Sequence, residues 1–282
     1  MKLGIGTYTY TWNFGTRTKY PSPPEVFTVD RLFQIAHEKG IHLVQLVGDA
    51  VPMHEMSAEQ LAALAQQAKE LAIELEVGTT GVEPATLATY LAVCKAVGGK
   101  LVRTIMDSKD SHPSVEQAAE WIRGILPEYK RAGVRLAIEN HDKRTVKELQ
   151  QLMDMVDDPA LGVCLDMVNS LGAQECQKEV VSALLPYTIS VHYKDFTISR
   201  MDHDMGLIVT GCTAGQGLTD MDYILANRGK ARSDFNIILE QWVPFYQTIE
   251  ETVAVERRQA DEGIQYLQTK YRDLWETPCS SV

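Results

Sequence analysis

Three carboxylates and one imidazole stand where they could hold a divalent cation. Glu139, Asp166, His192 and Glu240 each close a short apolar run, and the four runs follow one another along the chain. The runs cover residues 134–139, 161–166, 188–192 and 235–240. Acids that leave water together are costly unless a cation compensates them, and three at one point would repel each other. Oxygen donors with a single imidazole suit manganese, magnesium, cobalt or zinc, with positions left open for substrate oxygens. One strand-end acid by itself is most simply a helix cap or an ion pair; four in consecutive runs point to a metal site and an enzyme.

The neighbours of these residues supply polar partners. Asn140 and His141 follow Glu139, and Asn169 stands three after Asp166, in reach of a ligating carboxylate or a substrate hydroxyl. Lys194 follows His192 by two and is a candidate contact for an anionic substrate group. Arg103, Gln45 and Tyr10 lie near the ends of earlier runs and are further candidate substrate contacts, Tyr10 through stacking on a sugar face. A long stretch then carries His203, a candidate acid/base or lid residue, and Gly211, Gly215 and Gly217. Free amides in such a glycine-bearing loop can hold a carboxylate or phosphate. No phosphate-binding glycine motif or serine nucleophile elbow appears.

For these side chains to meet, their strands must share one mouth. Candidate strands cover residues 2–8, 42–48, 73–79 and 101–106, followed by the four runs above. They are rich in Val, Ile and Leu on consecutive positions, as expected of strands buried on both faces of a parallel sheet. Helices lie between them with readable starts. Thr28 caps a helix that stops at Gly40, and Ser57 with Gln60, Ser114 with Gln117 and Thr145 with Glu148 each read as a capping box. Gly133 and Pro159 mark exits. Eight strands, each followed by a helix, predict one (β/α)8 TIM barrel across residues 1–282, with a final helix near 248–267 and a C-terminal tail from about 271 to 282. An open doubly wound sheet is the rival arrangement.

The 282 residues carry a net charge of −11 with no basic run, which disfavours nucleic-acid partners. Five cysteines without a Cys-x-x-Cys spacing fit free thiols in a reducing cytoplasm. No apolar run reaches membrane-spanning length, and no signal-peptide core follows Lys2.

At Ile138-Glu139-Asn140, Leu165-Asp166-Met167-Val168-Asn169, Val191-His192-Tyr193-Lys194-Asp195 and Leu239-Glu240 the sequence resembles the sugar phosphate isomerase/epimerase family, the xylose-isomerase-like barrels. The resemblance runs from the aromatic first strand to Glu240. It implies that Glu139, Asp166, His192 and Glu240 hold one divalent ion, most often Mn2+, with Mg2+, Co2+ and Zn2+ as alternatives. It also implies that Glu139 and Glu240 move a proton beside a substrate carbonyl, through a cis-enediolate. Ketose 3-epimerases of the family carry a second histidine shortly after the aspartate; Asn169 stands here instead. The expectation is a metal-dependent sugar isomerase or epimerase, with a decarboxylase or lyase of an oxo-sugar acid as the alternative. Homo-oligomers are expected by analogy with the family. The related endonuclease IV barrels need three zinc ions and many more histidines, so DNA repair is not expected.

Overall fold

A computed structural model describes residues 1–275. Among these residues the strands are β1 (Leu3–Gly6), β2 (Leu43–Val47), β3 (Glu74–Gly78), β4 (Leu101–Ile105), β5 (Arg135–Glu139), β6 (Leu161–Asp166), β7 (Thr188–Tyr193), β8 (Asp195–Arg200), β9 (Leu207–Cys212) and β10 (Asn236–Leu239). Strands β1 to β7 and β10 are parallel and close in the order β1-β10-β7-β6-β5-β4-β3-β2. This is the (β/α)8 barrel that the alternation predicts. Helices α1 (Val29–Glu38), α2 (Ala58–Glu70), α3 (Pro84–Ala96), α4 (Val115–Ala132), α5 (Val146–Val156), α6 (Gln177–Leu184), α7 (Met221–Asn227) and α8 (Ile249–Lys270) accompany it.

Local signals set these boundaries. The Thr28 hydroxyl accepts from Arg31 N at the start of α1. Ser57 with Gln60 and Thr145 with Glu148 form full reciprocal boxes, satisfying amides that the helix leaves orphaned. Ser114 accepts from Gln117 N at 3.2 Å, but the Gln117 amide turns to Glu120 at 3.3 Å, so only half of that box forms. Gly133 ends α4 at a φ of +65°, a left-handed geometry that glycine adopts without a Cβ penalty. The main core lies between barrel and helices, built on residues such as Leu32, Phe33, Leu87, Ile122, Leu149 and Ile264.

Two regions depart from the sequence expectation. The long stretch after β7 first forms an antiparallel hairpin, with Ile198 opposite Val209 and Arg200 opposite Leu207, and the glycine-bearing loop follows it. The final helix runs to Lys270, and the chain beyond it packs back: Tyr271 is buried and the Trp275 indole N–H donates to Leu267 O at 3.0 Å. The rest of the expected tail, 276–282, lies outside the described residues.

Candidate active site

Strand register explains why the four singled-out residues meet. Glu139 pairs across the ladder with Cys164, two short of Asp166; Asp166 pairs directly with His192; His192 pairs with Ile238, two short of Glu240. Barrel strands tilt and stagger, so a side chain two residues further along the next strand stays near the same height. Each of the four comes from the C-terminal end of its strand or just beyond it, and all four are buried.

His192 Nδ1 lies 3.1 Å from Glu139 Oε2 and 2.9 Å from Glu240 Oε1. Lys194 Nζ lies 2.8 Å from both Asp166 Oδ2 and Glu240 Oε2. Arg103 Nε bonds Glu139 Oε2, and Asn169 Nδ2 donates to Glu139 Oε1 at 2.6 Å. Asp166 is held from its other oxygen, where Oδ1 accepts from Val168 N and Asn169 N, each at 2.8 Å. Asn140 fastens the neighbouring backbone: Oδ1 accepts from Asp166 N, and Nδ2 donates to Ser170 Oγ at 2.9 Å. Asn140 and Asn169 therefore orient the acids.

Burial opposes every charge here, and neighbours decide the outcome. At Glu139 burial is outweighed by Arg103 and His192, which hold the carboxyl well below the usual range. At Glu240 burial is likewise outweighed by His192 and Lys194, which bring it down to about 2. At Asp166 burial prevails over Lys194 and, helped by Glu139 and Glu240, raises the carboxyl. His192 is raised well above its ordinary value because Cys164, Glu240 and Glu139 overcome its burial.

Several atoms remain without a hydrogen bond despite their close neighbours. Asp166 Oδ2, His192 Nδ1 and Glu240 Oε1 are buried and lack a partner of acceptable angle, so their short contacts are Coulombic. Ligand atoms of Asp166, His192 and Glu240 lie within 4.8 Å of one another. Buried polar atoms left like this need an explanation, and this donor set fits a divalent cation. Glu139 joins the cluster through His192 and Cys164, which form a second group within 4.8 Å. Burial raises the Cys164 thiol, which disfavours the thiolate a metal would take.

The cluster opens into a cavity of about 520 Å³, lined in part by Tyr8, Thr11, Arg103, Glu139, Asn169, Lys194, Glu240 and Trp242. Glu139 and Glu240 line it, whereas Asp166 and His192 do not. Three expected contacts fall elsewhere. β1 ends at Gly6, and a 3-10 turn over Thr7–Thr9 sends Tyr8 into the cavity and Tyr10 into the core against Phe27, with ring centroids 5.5 Å apart. Gln45 sits two residues before the end of β2 and donates to Glu76 Oε2 at 3.1 Å inside the buried interior. His203 is exposed in the hairpin turn, where Met205 N donates to its Nδ1, and does not line the cavity.

The glycine loop also has its own ligand. Gly215 N and Gly217 N donate to Asp195 Oδ2 at 2.8 and 2.9 Å, and Phe196 N and Thr219 N to Asp195 Oδ1 at 2.9 Å. A Cβ on Gly217 would stand 2.3 Å from Asp195 Oδ1, so glycine is needed for the wrap. The amides expected for a substrate anion are occupied by the protein itself. Sequence reasoning passed over Arg17, Asp142 and Trp242, all of which line the cavity. Trp242 stands two beyond Glu240, so the same strand-end logic could have found it; nothing local marks Arg17.

The chain is 28% identical over 270 residues, 96% of either chain, to a 3-oxo-isoapionate decarboxylase of Pectobacterium atrosepticum. A D-psicose 3-epimerase with D-tagatose from Clostridium cellulolyticum H10 superimposes with a TM-score of 0.71 at 14% identity, over 98% of this chain and all of that one. A xylose isomerase-like TIM barrel protein from Mycobacterium smegmatis in complex with magnesium does so with a TM-score of 0.69 at 13% identity, over 94% of this chain and 97% of that one. At such identities these two structures speak for the fold alone. The model of the family described as "Xylose isomerase-like TIM barrel" matches residues 33–270, and with the closed barrel this makes the chain a member of that family.

Proposed function

We propose that this chain is a divalent-metal-dependent decarboxylase of a 3-oxo sugar acid. The observation that carries this reading is the charge balance of the buried site. Glu139, Asp166 and Glu240 face Arg103 and Lys194, which leaves one negative charge when His192 is neutral, as a ligand must be. A divalent ion turns that into one positive charge, which suits a substrate bearing one carboxylate better than a neutral ketose. The full-length likeness to a decarboxylase supports the same choice.

Glu139, Asp166, His192 and Glu240 would hold the ion. Bound there, it would act as a Lewis acid toward the carbonyl beside the breaking bond. Arg103 and Lys194 line the cavity and would orient the substrate carboxylate. The bond from the carboxylate carbon to the α-carbon breaks, carbon dioxide leaves, and the electron pair passes to the carbonyl oxygen as an enolate. One proton then reaches the α-carbon from a solvent water, guided by whichever of the cavity-lining carboxylates Glu139 and Glu240 faces it, and the water is left as hydroxide for solvent to neutralise. Tyr8 and Trp242 add aromatic surface to the cavity lining.

A second reading, isomerisation or epimerisation of a ketose, is favoured by the flanking of His192 by two cavity-lining glutamates. One glutamate would remove a carbon-bound proton and the other would return one. Metal-loaded protein in D2O separates the two readings. The decarboxylase releases carbon dioxide from a 3-oxo sugar acid and leaves one deuterium in the product. Exchange into a neutral ketose without carbon dioxide release points to the second reading. Neither event across both substrate panels would sink both.

A further inference from the structure

Among the described residues, the charged side chains that line the cavity are Arg17, Arg103, Glu139, Asp142, Lys194 and Glu240, and all but Arg17 are paired. Arg103 bonds Glu139, Lys194 lies 2.8 Å from Glu240, and Asp142 meets the His141 ring. Arg17 has neither an ion pair nor a side-chain hydrogen bond within the described residues.

The chain holds Arg17 from both sides, although the residue itself is exposed. Before it, Thr16 N and Thr16 Oγ1 both donate to Thr11 O, at 3.1 and 3.0 Å, and Thr11 Oγ1 in turn donates to Glu256. After it, Tyr20 N donates to Arg17 O at 2.9 Å, and the Tyr20 ring packs on Trp12 and Phe245, with centroids 5.1 and 4.7 Å away. A guanidinium on a backbone fixed in this way loses less freedom when it takes a partner. Its planar fork of donors matches a carboxylate, two N–H groups to two oxygens.

We propose that Arg17 is a specificity-determining residue, which receives the carboxylate of the incoming substrate at the cavity mouth. The inference rests on the decarboxylase reading and adds to it the contact by which an acid is told from a neutral sugar. Arg103 and Lys194 share their charge with the site's own acids, so Arg17 supplies the positive charge that is not shared. The chemistry also fixes when that charge acts. As carbon dioxide forms, the carboxylate gives up its negative charge, so the pairing with Arg17 is strong in the bound substrate and weaker in the transition state. Such an interaction lowers KM without raising kcat. The decarboxylated product has no carboxylate for Arg17 to hold, so the same residue that captures the acid lets the product go.

Equilibrium binding of two probes to the metal-loaded protein tests the inference: D-gluconate, a sugar acid, and D-fructose, a neutral ketose. The wild type should bind gluconate at least ~10-fold more tightly than fructose. Arg17→Gln should weaken gluconate ~10–100-fold, as the loss of a hydrogen bond to a charged group does, and leave fructose unchanged. Arg17→Lys keeps the charge but not the fork and should fall between the two. Lys19→Gln removes a nearby exposed charge that does not line the cavity and should change neither affinity. In turnover of a 3-oxo sugar acid, Arg17→Gln should raise KM by the same factor and leave kcat within about twofold. An Arg17→Gln protein that binds gluconate like the wild type overturns the inference. So does a loss shared equally by fructose, which marks loop damage rather than charge, and so does a wild type with no preference for gluconate. Gluconate selection by Arg17 without carbon dioxide release from any 3-oxo sugar acid upholds the inference and sinks the decarboxylase reading alone.

Discussion

Glu256 offers the sharpest test of how the mouth is held. It lies on α8 with no exposed surface, and its carboxylate accepts four bonds from the loop after β1. Thr11 Oγ1 donates at 3.1 Å and Trp12 N at 2.9 Å to Oε1; Asn13 N at 2.9 Å and Asn13 Nδ2 at 2.7 Å donate to Oε2. Glu256→Ala leaves four buried donors without an acceptor. At ~1–3 kcal/mol each the nominal loss is large, but loop relaxation and water entry reduce it, so a destabilisation of ~3–5 kcal/mol is expected. Glu256→Gln keeps one acceptor oxygen and turns an amide N–H toward two donors, for a loss of ~2–3 kcal/mol. In a barrel of this size 1 kcal/mol moves the melting temperature by roughly 2–4 °C, so Glu256→Ala should melt roughly 6–20 °C lower. Urea titration and thermal melts followed by circular dichroism read both values. A loss below ~1 kcal/mol for Glu256→Ala would refute the view that this carboxylate organises the loop. The same loop carries Tyr8, Thr11 and Arg17 to the cavity, so loosening it should raise KM more than it lowers kcat.

Glu240→Gln should lose ~10²–10⁴-fold in turnover while keeping the wild-type circular dichroism spectrum; near-normal activity removes Glu240 from the chemistry. Purified protein should contain about one divalent ion per chain by elemental analysis. Restoring the ion to chelated protein at about 100 times its dissociation constant should add ~2.7 kcal/mol, and an unchanged melting curve would refute a specific site. Asp107 bonds Arg144 at 2.7 and 2.8 Å, and that bonding, against burial and with help from His112, lowers its carboxyl below the usual range. A depressed folded value means its stabilisation is present above the unfolded carboxylate range and is lost as pH falls through the folded value. Asp107→Asn should therefore be less stable than wild type near pH 6, with the gap closing toward pH 3; a gap that persists in acid shows that charge is not the cause.

The barrel was legible because its signal is repeated. Strands buried on both faces cannot alternate, so runs such as 161–166 stand out, and caps at Thr28, Ser57 and Thr145 mark the starts of the intervening helices. Glu139, Asp166, His192 and Glu240 were legible as strand ends because ladder register needs no knowledge of loops. The hairpin escaped because its strands are exposed, so residues 195–200 and 207–212 lack a burial pattern. Tyr10 and Gln45 were misplaced by small offsets. An unforeseen turn after Gly6 exchanges the directions of Tyr8 and Tyr10, and two further strand residues set Gln45 below the mouth. The glycine loop read as an anion cradle because its amides are real; the anion it holds, Asp195, lies some twenty residues earlier in sequence, where no local pattern links the two.

That internal carboxylate divides the segment into parts with different freedoms. Below Phe196, four amides close on Asp195, one residue from Lys194, so a change there is transmitted directly to the ammonium between Asp166 and Glu240. Beyond the clasp, residues from Ile198 through Ile208 are anchored mainly to each other, and Val209 is where the ribbon meets the cavity. The outer ribbon can thus change length, charge or partner over generations while the side chains beside the cavity keep their positions. The clasp acts as a firewall between a surface open to drift and a floor that tolerates almost none.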